Sequence, residues 1–313
     1  MQAESPEQAG ALDEAASAFV ELRQRLFGIA YRILGSASEA EDILQEVWLR
    51  WQGTDRAAVD TPSAFLAAIT TRLSINAATS ARARRETYIG SWLPEPVDTS
   101  ADPALGAERG AALQLAVLLL MERLSPAERA AYVLREAFAY PYRQIADVLR
   151  LTPANARQLV SRARKRLAAV RREPIGKGEH RQLLQAFVDA ARTGNIAALE
   201  DLFAADIVSS ADGNGLRGAA RFPLLGGDRV AHFVAAFAPR FWPGAEMEWV
   251  EVNGLAGVLV PGGRTGVALL AIEASPQGIH HLMWIVNPDK LHAFERSRER
   301  SGGGVTTGGA ARP

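Results

Sequence analysis

The stretch that most limits what this chain can become is residues 142–172. Residues 142–149 carry the apolar spacing of a short helix, and Arg150-Leu151-Thr152 makes a three-residue turn. Thr152-Pro153 is then an N-cap followed by proline at the first helical position, which starts a helix running to about Arg172. Ile145, Ala146, Leu149, Leu151, Ala156, Leu159 and Val160 form one packing face. Arg157, Gln158, Ser161, Arg162, Arg164 and Lys165 are left outward. Helix, short turn and basic helix is the helix-turn-helix pattern, whose second helix sets its first residues against base edges in the major groove. Arg and Gln there can make bidentate base contacts, each worth about 1–3 kcal/mol of discrimination. The later cations meet phosphates. Residues 143–172 hold nine basic side chains and one acidic, Asp147, so 9 − 1 = +8. The bland alternative, a solvated basic helix in a bundle, explains the charge but not the caps and the turn together.

That local charge is invisible in the total. The chain has 35 Lys plus Arg and 35 Asp plus Glu, a formal net charge of zero, which by itself argues against nucleic acid. Along the chain it resolves into blocks. Residues 1–63 hold five basic and eleven acidic residues (5 − 11 = −6), 72–85 hold four arginines and no acid (+4), and 86–108 hold five acids and no base (−5). The absence of cysteine excludes disulfides, thiolate metal sites and cysteine nucleophiles. No apolar run approaches 18 residues, so the sequence predicts a cytoplasmic protein without a membrane partner.

The first half reads as helices. Phe19, Leu22, Leu26, Ile29, Ala30, Ile33 and Leu34 repeat at the helical period over 17–34, and Gly35 is the stop. A second helix follows the Ser36/Ser38 cap signal, and a third runs from Thr61-Pro62 to about Arg85. The prolines at 94, 96 and 103 forbid a continuous helix, so the segment after Glu86 reads as an acidic linker. Helix returns over 110–124, and Ser125-Pro126-Ala127-Glu128 opens another that runs to about Phe138. The period then changes. Residues 180–193, 196–203 and 229–241 read as helices, and 246–252, 256–260, 267–273 and 279–286 as strands separated by Gly and Pro turns, an α+β unit with an antiparallel sheet. From Ser301, Gly, Thr and Ala dominate and predict disorder. Of the arginine block, Arg82, Arg84 and Arg85 are followed by Tyr88 and Trp92, a mixture of cations and aromatics that suits melted DNA.

Arg25-Leu-Phe-Gly-Ile-Ala-Tyr31-Arg32-Ile-Leu-Gly35, followed by Glu39-Ala-Glu41-Asp42-Ile-Leu-Gln45-Glu46-Val-Trp48, resembles region 2 of an extracytoplasmic-function (ECF) sigma factor. Leu124-Ser-Pro-Ala-Glu-Arg129 through Arg164 resembles region 4. Glu86-Thr-Tyr-Ile-Gly-Ser-Trp-Leu-Pro-Glu-Pro96 resembles the linker of the sigma J-like group, which carries a carboxy-terminal SnoaL-like domain of the NTF2-like cone fold. The resemblance implies two all-α sigma domains, a region 2 helical bundle over 15–96 and a region 4 helix-turn-helix over 110–173, joined by the linker 97–109. A SnoaL-like regulatory domain over 178–295 and a disordered tail over 296–313 follow. It implies a transcription initiation factor whose partners are core RNA polymerase, through its β′ clamp helices and β flap, and promoter DNA.

By the same resemblance, Asp42, Gln45, Glu46 and Trp48 meet polymerase. Phe65, Arg72, Asn76, Arg82, Arg84 and Arg85 serve the −10 element. Asn155, Arg157, Gln158, Ser161, Arg162, Arg164 and Lys165 serve the −35 element. Asn76 and Arg143-Gln144 stand where acids are common in the family. Asp212-Gly213-Asn214-Gly215 and Asn287-Pro288-Asp289-Lys290-Leu291 resemble two signatures of the attached domain, the first departing from the usual richer-Gly form. Asp212, Gly213, Gly215, Asn287, Pro288, Asp289 and Lys290 are thus regulatory candidates, with 287–291 expected to dock as a loop against the sigma domains.

Two other classes compete: a one-component regulator sensing a small ligand in the tail, and a SnoaL-type isomerase or cyclase fused to a DNA-binding module. All five Tyr precede residue 143, so a tyrosine oxyanion site is not expected in the tail. His280 and His281 are neighbours on a strand, point to opposite faces and cannot share a metal. Asp206 or Asp212 remain as base candidates, although an Asp before Gly more often makes a turn. The expectation is no catalysis, no cofactor and no metal.

Overall fold

The computed structural model describes residues 6–100, 113–216, 219–241, 246–262 and 266–302. They divide into two compact units, one built from Met1–Thr87, Ala107–Leu113 and Val117–Arg171, the other from Tyr88–Gly106, Gln114–Ala116 and Arg172–Pro313.

The first unit is helical. It contains α1 (Pro6–Leu34), α2 (Ala37–Gln52), α3 (Pro62–Glu86), most of α4 (Leu115–Met121), α5 (Pro126–Glu136), α6 (Tyr142–Leu149) and α7 (Pro153–Ala168). The sequence caps are where they were expected. Ser36 Oγ accepts from the Glu39 amide, Thr152 accepts from Asn155, and Ser125 with Glu128 forms a complete capping box. α1 buries Leu26, Ile29, Ala30, Ile33 and Leu34 completely or nearly so, against α2 and α3. Trp51 closes this bundle, its indole N–H donating to the Ala15 carbonyl at 3.0 Å. Ile145, Ala146, Ala156 and Val160 build the core of the helix-turn-helix. Leu151, expected on that face, is 39% exposed because it sits in the turn between the two helices.

The second unit is α+β: α8 (Lys177–Thr193), α9 (Ile196–Leu202) and α10 (Gly227–Phe241) cover a sheet, and α11 (Pro288–Gly302) follows its last strand. The strands are β1 (Phe203–Asp212), β2 (Leu224–Leu225), β3 (Glu248–Val252), β4 (Leu255–Gly262), β5 (Gly266–Ser275) and β6 (Gly278–Ile285), in the order β2-β1-β6-β5-β4-β3. Phe187, Val230, Val258, Leu270 and Leu282 lie at the centre of the core between helices and sheet.

Five expectations change here. The sheet is mixed, since β1 runs parallel to β6. β1 was missed because Ala-Ala-Asp-Ile-Val-Ser-Ser-Ala has little β-branched or aromatic content; ladder bonds on both sides hold it as a strand. The stretch 287–291 is a helix start rather than a loop: Asn287 Oδ1 accepts from the Asp289 amide at 3.1 Å with Pro288 opening α11. That helix runs to Gly302, so residues 296–302 are helical, and Ser297 Oγ accepts from the Asp98 amide. The expected disorder of 303–313, and the linker residues 101–109, fall outside the described residues.

Finally, the boundary expected at residue 96 differs from that of the compact unit, whose first stretch ends at Thr87. The segment from Tyr88 to Ser100 is laced onto the sheet of the second unit. The Val97 amide donates to Asn253 Oδ1 and the Asn253 amide to the Val97 carbonyl, at 3.1 and 3.0 Å. Asp98 bridges to Val252, and the Gly254 amide donates to Thr99 Oγ1 at 2.8 Å. Prolines 94 and 96 exclude helix but not this extended pairing.

Candidate nucleic-acid and polymerase interface

α2 turns its four buried residues, Ala40, Leu44, Val47 and Trp51, toward α1 and α3. Asp42 and Gln45 stand exposed on the other side, and Glu46 pairs with Arg50 at 2.8 Å one turn on. Trp48 is half-buried, its ring 5.2 Å from that of Phe19. Sequence reasoning missed two apolar neighbours in this region: Leu49 is 62% and Val20 67% exposed. A buried-versus-exposed reading of the helical period would have found Leu49, which follows Trp48 off the packing face.

The −10 candidates divide. Arg82 and Asn76 are exposed on α3, and Phe65 packs its ring 5.9 Å from Trp51. Arg72 spends two N–H groups within the protein, Nε on the Val148 carbonyl at 2.8 Å and Nη2 on that of Asp147 at 3.1 Å. Arg84 pairs with Glu39. Arg85 pairs with Glu122 and donates to the Leu34 carbonyl, and Glu122 also holds the buried Arg129. Burial pulls the Arg129 guanidinium below its ordinary range and Glu122 works against that. Arg85 thus belongs to an internal network as much as to a surface. Tyr88 and Trp92, read as stacking partners for melted bases, are both engaged in the second unit, as described below.

All seven −35 candidates, Asn155, Arg157, Gln158, Ser161, Arg162, Arg164 and Lys165, are exposed along α7. Ala156, Leu159, Val160, Ala163 and Leu167 fill the opposite face. Arg157 lies over the Tyr142 ring at 5.1 Å, which orients it near the start of the helix. Glu128 and Glu136 of α5 hold the later cations. Arg166 reaches Glu128 at 2.6 Å, Arg162 reaches Glu128 at 3.7 Å, and Arg164 reaches Glu136 at 2.6 Å. Burial pushes the Glu128 carboxyl up, but its Ser125 hydrogen bonds and the two arginines more than offset this and hold it low. Arg166 was not among the expected residues; its i+4 relation to Arg162 was the available signal.

The regulatory candidates converge in the second unit. Asp212 is no turn residue. It ends β1, is fully buried, and its carboxylate accepts from Tyr88 Oη, from the Leu93 amide at 2.7 Å and from Lys290 Nζ at 2.7 Å. Lys290 also donates to the Leu93 carbonyl and lies over the Trp92 ring at 4.7 Å. Asn287 Nδ2 donates to Tyr88 Oη at 3.0 Å. Burial, then the Asp212 bond and charge, push the Tyr88 phenol well above its usual range. Gly213 has no room for a side chain, since a Cβ would lie 2.5 Å from that of Ala219. Gly215 has a φ of +81° beside Ile89. Pro288 and Asp289 are exposed. Asn287 and Lys290 thus bind Tyr88, Trp92 and Leu93 of the segment after α3, which the sequence reading placed in region 2 and the fold places in the second unit.

Two further corrections bear on catalysis. A tyrosine does reach the tail domain, Tyr88, but its hydroxyl is fully engaged by Asp212 and Asn287. Asp206 pairs with Arg172 and with His280 Nδ1 at 2.5 Å. Burial raises its carboxyl, yet the His280 and Arg172 interactions outweigh that and keep it low, the wrong direction for a base at neutral pH. His280 continues to Ser275 Oγ at 2.7 Å, but Ser275 is 1% exposed and also bound to Gln277. His281 turns to the other face, to Ser210 Oγ at 2.9 Å.

A helical bundle, a helix-turn-helix with an exposed basic reading helix, and an appended α+β domain define a DNA-binding transcription protein. Residues 18–84 match the Sigma-70 region 2 family and 114–167 match Sigma-70 region 4. The chain is 35% identical over 289 residues to the ECF RNA polymerase sigma factor SigJ of Mycobacterium tuberculosis, covering 88% of this chain and 92% of that protein. It is 29% identical over 298 residues to the probable ECF sigma factor SigI of the same organism, covering 93% and 99%. The crystal structure of SigJ superposes with a TM-score of 0.73 at 33% identity, covering 88% of this chain and 98% of that one. This chain belongs to the ECF RNA polymerase sigma factors, with a SnoaL-like α+β domain after its two sigma regions.

Proposed function

We propose that the chain binds core RNA polymerase through α2, with Asp42, Gln45, Glu46 and Trp48 joined by the exposed Leu49, and places α3 and α7 on the two promoter elements. The observation that carries the reading is α7, where every expected base- or phosphate-facing side chain is exposed and the complementary face is closed. Asn155, Arg157, Gln158 and Ser161 read base edges, and Arg162, Arg164 and Lys165 hold phosphates. On α3, Phe65, Arg72, Asn76 and Arg82 serve the −10 element, and Arg84 and Arg85 do so only by exchanging their carboxylate partners for DNA. The protein works in the cytoplasm and performs no catalysis of its own. Its SnoaL-like domain tunes transcription by holding the segment after α3 through Asp212, Asn287 and Lys290. No helix among the described residues is long and apolar enough to cross a membrane.

The test is run-off transcription by core polymerase with the full-length chain on a genomic promoter pool. Enrichment of a common two-element promoter supports the reading, and no stimulation on any promoter refutes it. Cutting the chain at residue 177 is the wrong comparison, because residues 88–100 would lose the sheet they pair with. Arg157→Ala and Asp212→Asn in the intact chain separate DNA reading from tail control.

A further inference from the structure

Between α3 and the end of the first helix-turn-helix helix lies a groove of about 510 Å3, lined by Arg50, Arg72, Asn76 and the stretch from Val148 to Leu151. None of its lining residues is acidic. Arg72 has two N–H groups tied to carbonyls of 147 and 148, which leaves Nη1 and the second hydrogen of Nη2 for another acceptor. Arg150 faces it from the turn, with no carboxylate or hydrogen-bond partner for its guanidinium among the described residues. Burial first, and then the Arg150 charge, draw the Arg72 guanidinium below its ordinary range. The walls beside them are apolar, from Leu73, Ile75 and Leu149.

We propose that this groove binds a phosphorylated small molecule of nucleotide size, its phosphates bridging Arg72 and Arg150 and its ring against the apolar wall. Planar guanidinium forks match phosphate oxygens in bidentate fashion, and an anion between the two arginines removes their repulsion. The volume lies within the usual range of small-molecule sites, roughly 300–1,000 Å3, and exceeds what a bare phosphate needs. The cations come from two different elements, α3 and the turn before α7. A bound anion therefore clamps those elements together, and α3 is not free to engage a promoter while it stays. This consequence for transcription rests on the sigma-factor reading; the binding itself does not.

The experiment is calorimetric titration of the full-length chain at fixed ionic strength with GTP, pyrophosphate and guanosine as probes. One GTP per chain is expected, bound at least tenfold more tightly than guanosine, with pyrophosphate between them. Arg150→Glu should weaken GTP at least tenfold while the melting temperature without probe stays unchanged, and Arg150→Lys should lose less. Arg50→Gln supplies a second variant on the rim. Absence of saturable GTP binding, or binding indifferent to Arg150→Glu, overturns the proposal. So does a duplex oligonucleotide without promoter sequence that binds in an Arg150-dependent way while GTP and pyrophosphate do not, since the groove would then be a DNA-backbone contact. Promoter activity of the chain without probe is scored separately, so a failure of the sigma-factor reading is distinguishable from a failure of this site.

Discussion

Removing the charge of Lys290 is the sharpest available probe of the second unit. The side chains of Asp212 and Lys290 are 0% and 7% exposed, so their ion pair is a buried one. Lys290→Met keeps the volume and the apolar contact with Trp92 but leaves the Asp212 carboxylate in the interior with only Tyr88 Oη and the Leu93 amide. Breaking a buried pair by deleting one partner costs about 3–5 kcal/mol. The two remaining donors place the expected loss near the lower end, about 3 kcal/mol. Asp212→Leu strands Lys290, the Leu93 amide and the Tyr88 hydroxyl and should cost at least as much. The double variant Asp212→Leu, Lys290→Met removes both charges, and its loss should fall well short of the sum, with a coupling of about 2 kcal/mol or more. Urea unfolding gives the totals. Amide hydrogen exchange over 88–97 reports the local effect, because the Leu93 amide is a direct donor to Asp212. A Lys290→Met cost under about 1 kcal/mol, or additive single costs, would refute the claim that this pair holds the segment.

Other expectations follow from the same geometry. Arg157→Ala should lose about 1–3 kcal/mol of binding and relax one promoter position, whereas Lys165→Ala should weaken all sequences alike and lower the salt slope by about one, both read by holoenzyme binding across salt concentrations. Ile145→Ala empties a fully buried position in the helix-turn-helix and should cost about 2–5 kcal/mol in chemical denaturation. Ser125→Ala removes a capping-box partner and should cost about 1 kcal/mol by the same measurement. Burial draws the His281 imidazole down to about 4 from 6.5. Between those values the unfolded chain holds more protons, so the stability this group confers is present above pH 6.5 and is lost as pH falls toward 4. The size is about 3 kcal/mol, and His281→Gln should flatten that window in a pH series of unfolding curves.

Local signals carried the helices and the reading face. Thr152-Pro153 and Ser125-Pro-Ala-Glu act within one turn of chain, and the period of Ala156, Leu159 and Val160 needs no partner to be legible. The exposure of Arg157, Gln158, Ser161, Arg162, Arg164 and Lys165 was therefore readable before any fold was known. The same period also implied Leu49. What failed was everything that depends on a distant partner. β1 has weak strand propensity and exists because β6 and β2 flank it. Tyr88 and Trp92 carry the composition of a DNA-stacking segment, and only the structure shows them committed to Asp212, Asn287 and Lys290.

The sequence by itself determined the helix starts, the basic reading helix and the bipartite change of period, because capping, periodicity and charge are properties of neighbouring residues. The tertiary structure alone decided the roles of Asp212, Lys290, Arg85 and Arg72. A buried charge is tolerable only beside its partner, and those partners lie from 37 to 197 residues away along the chain.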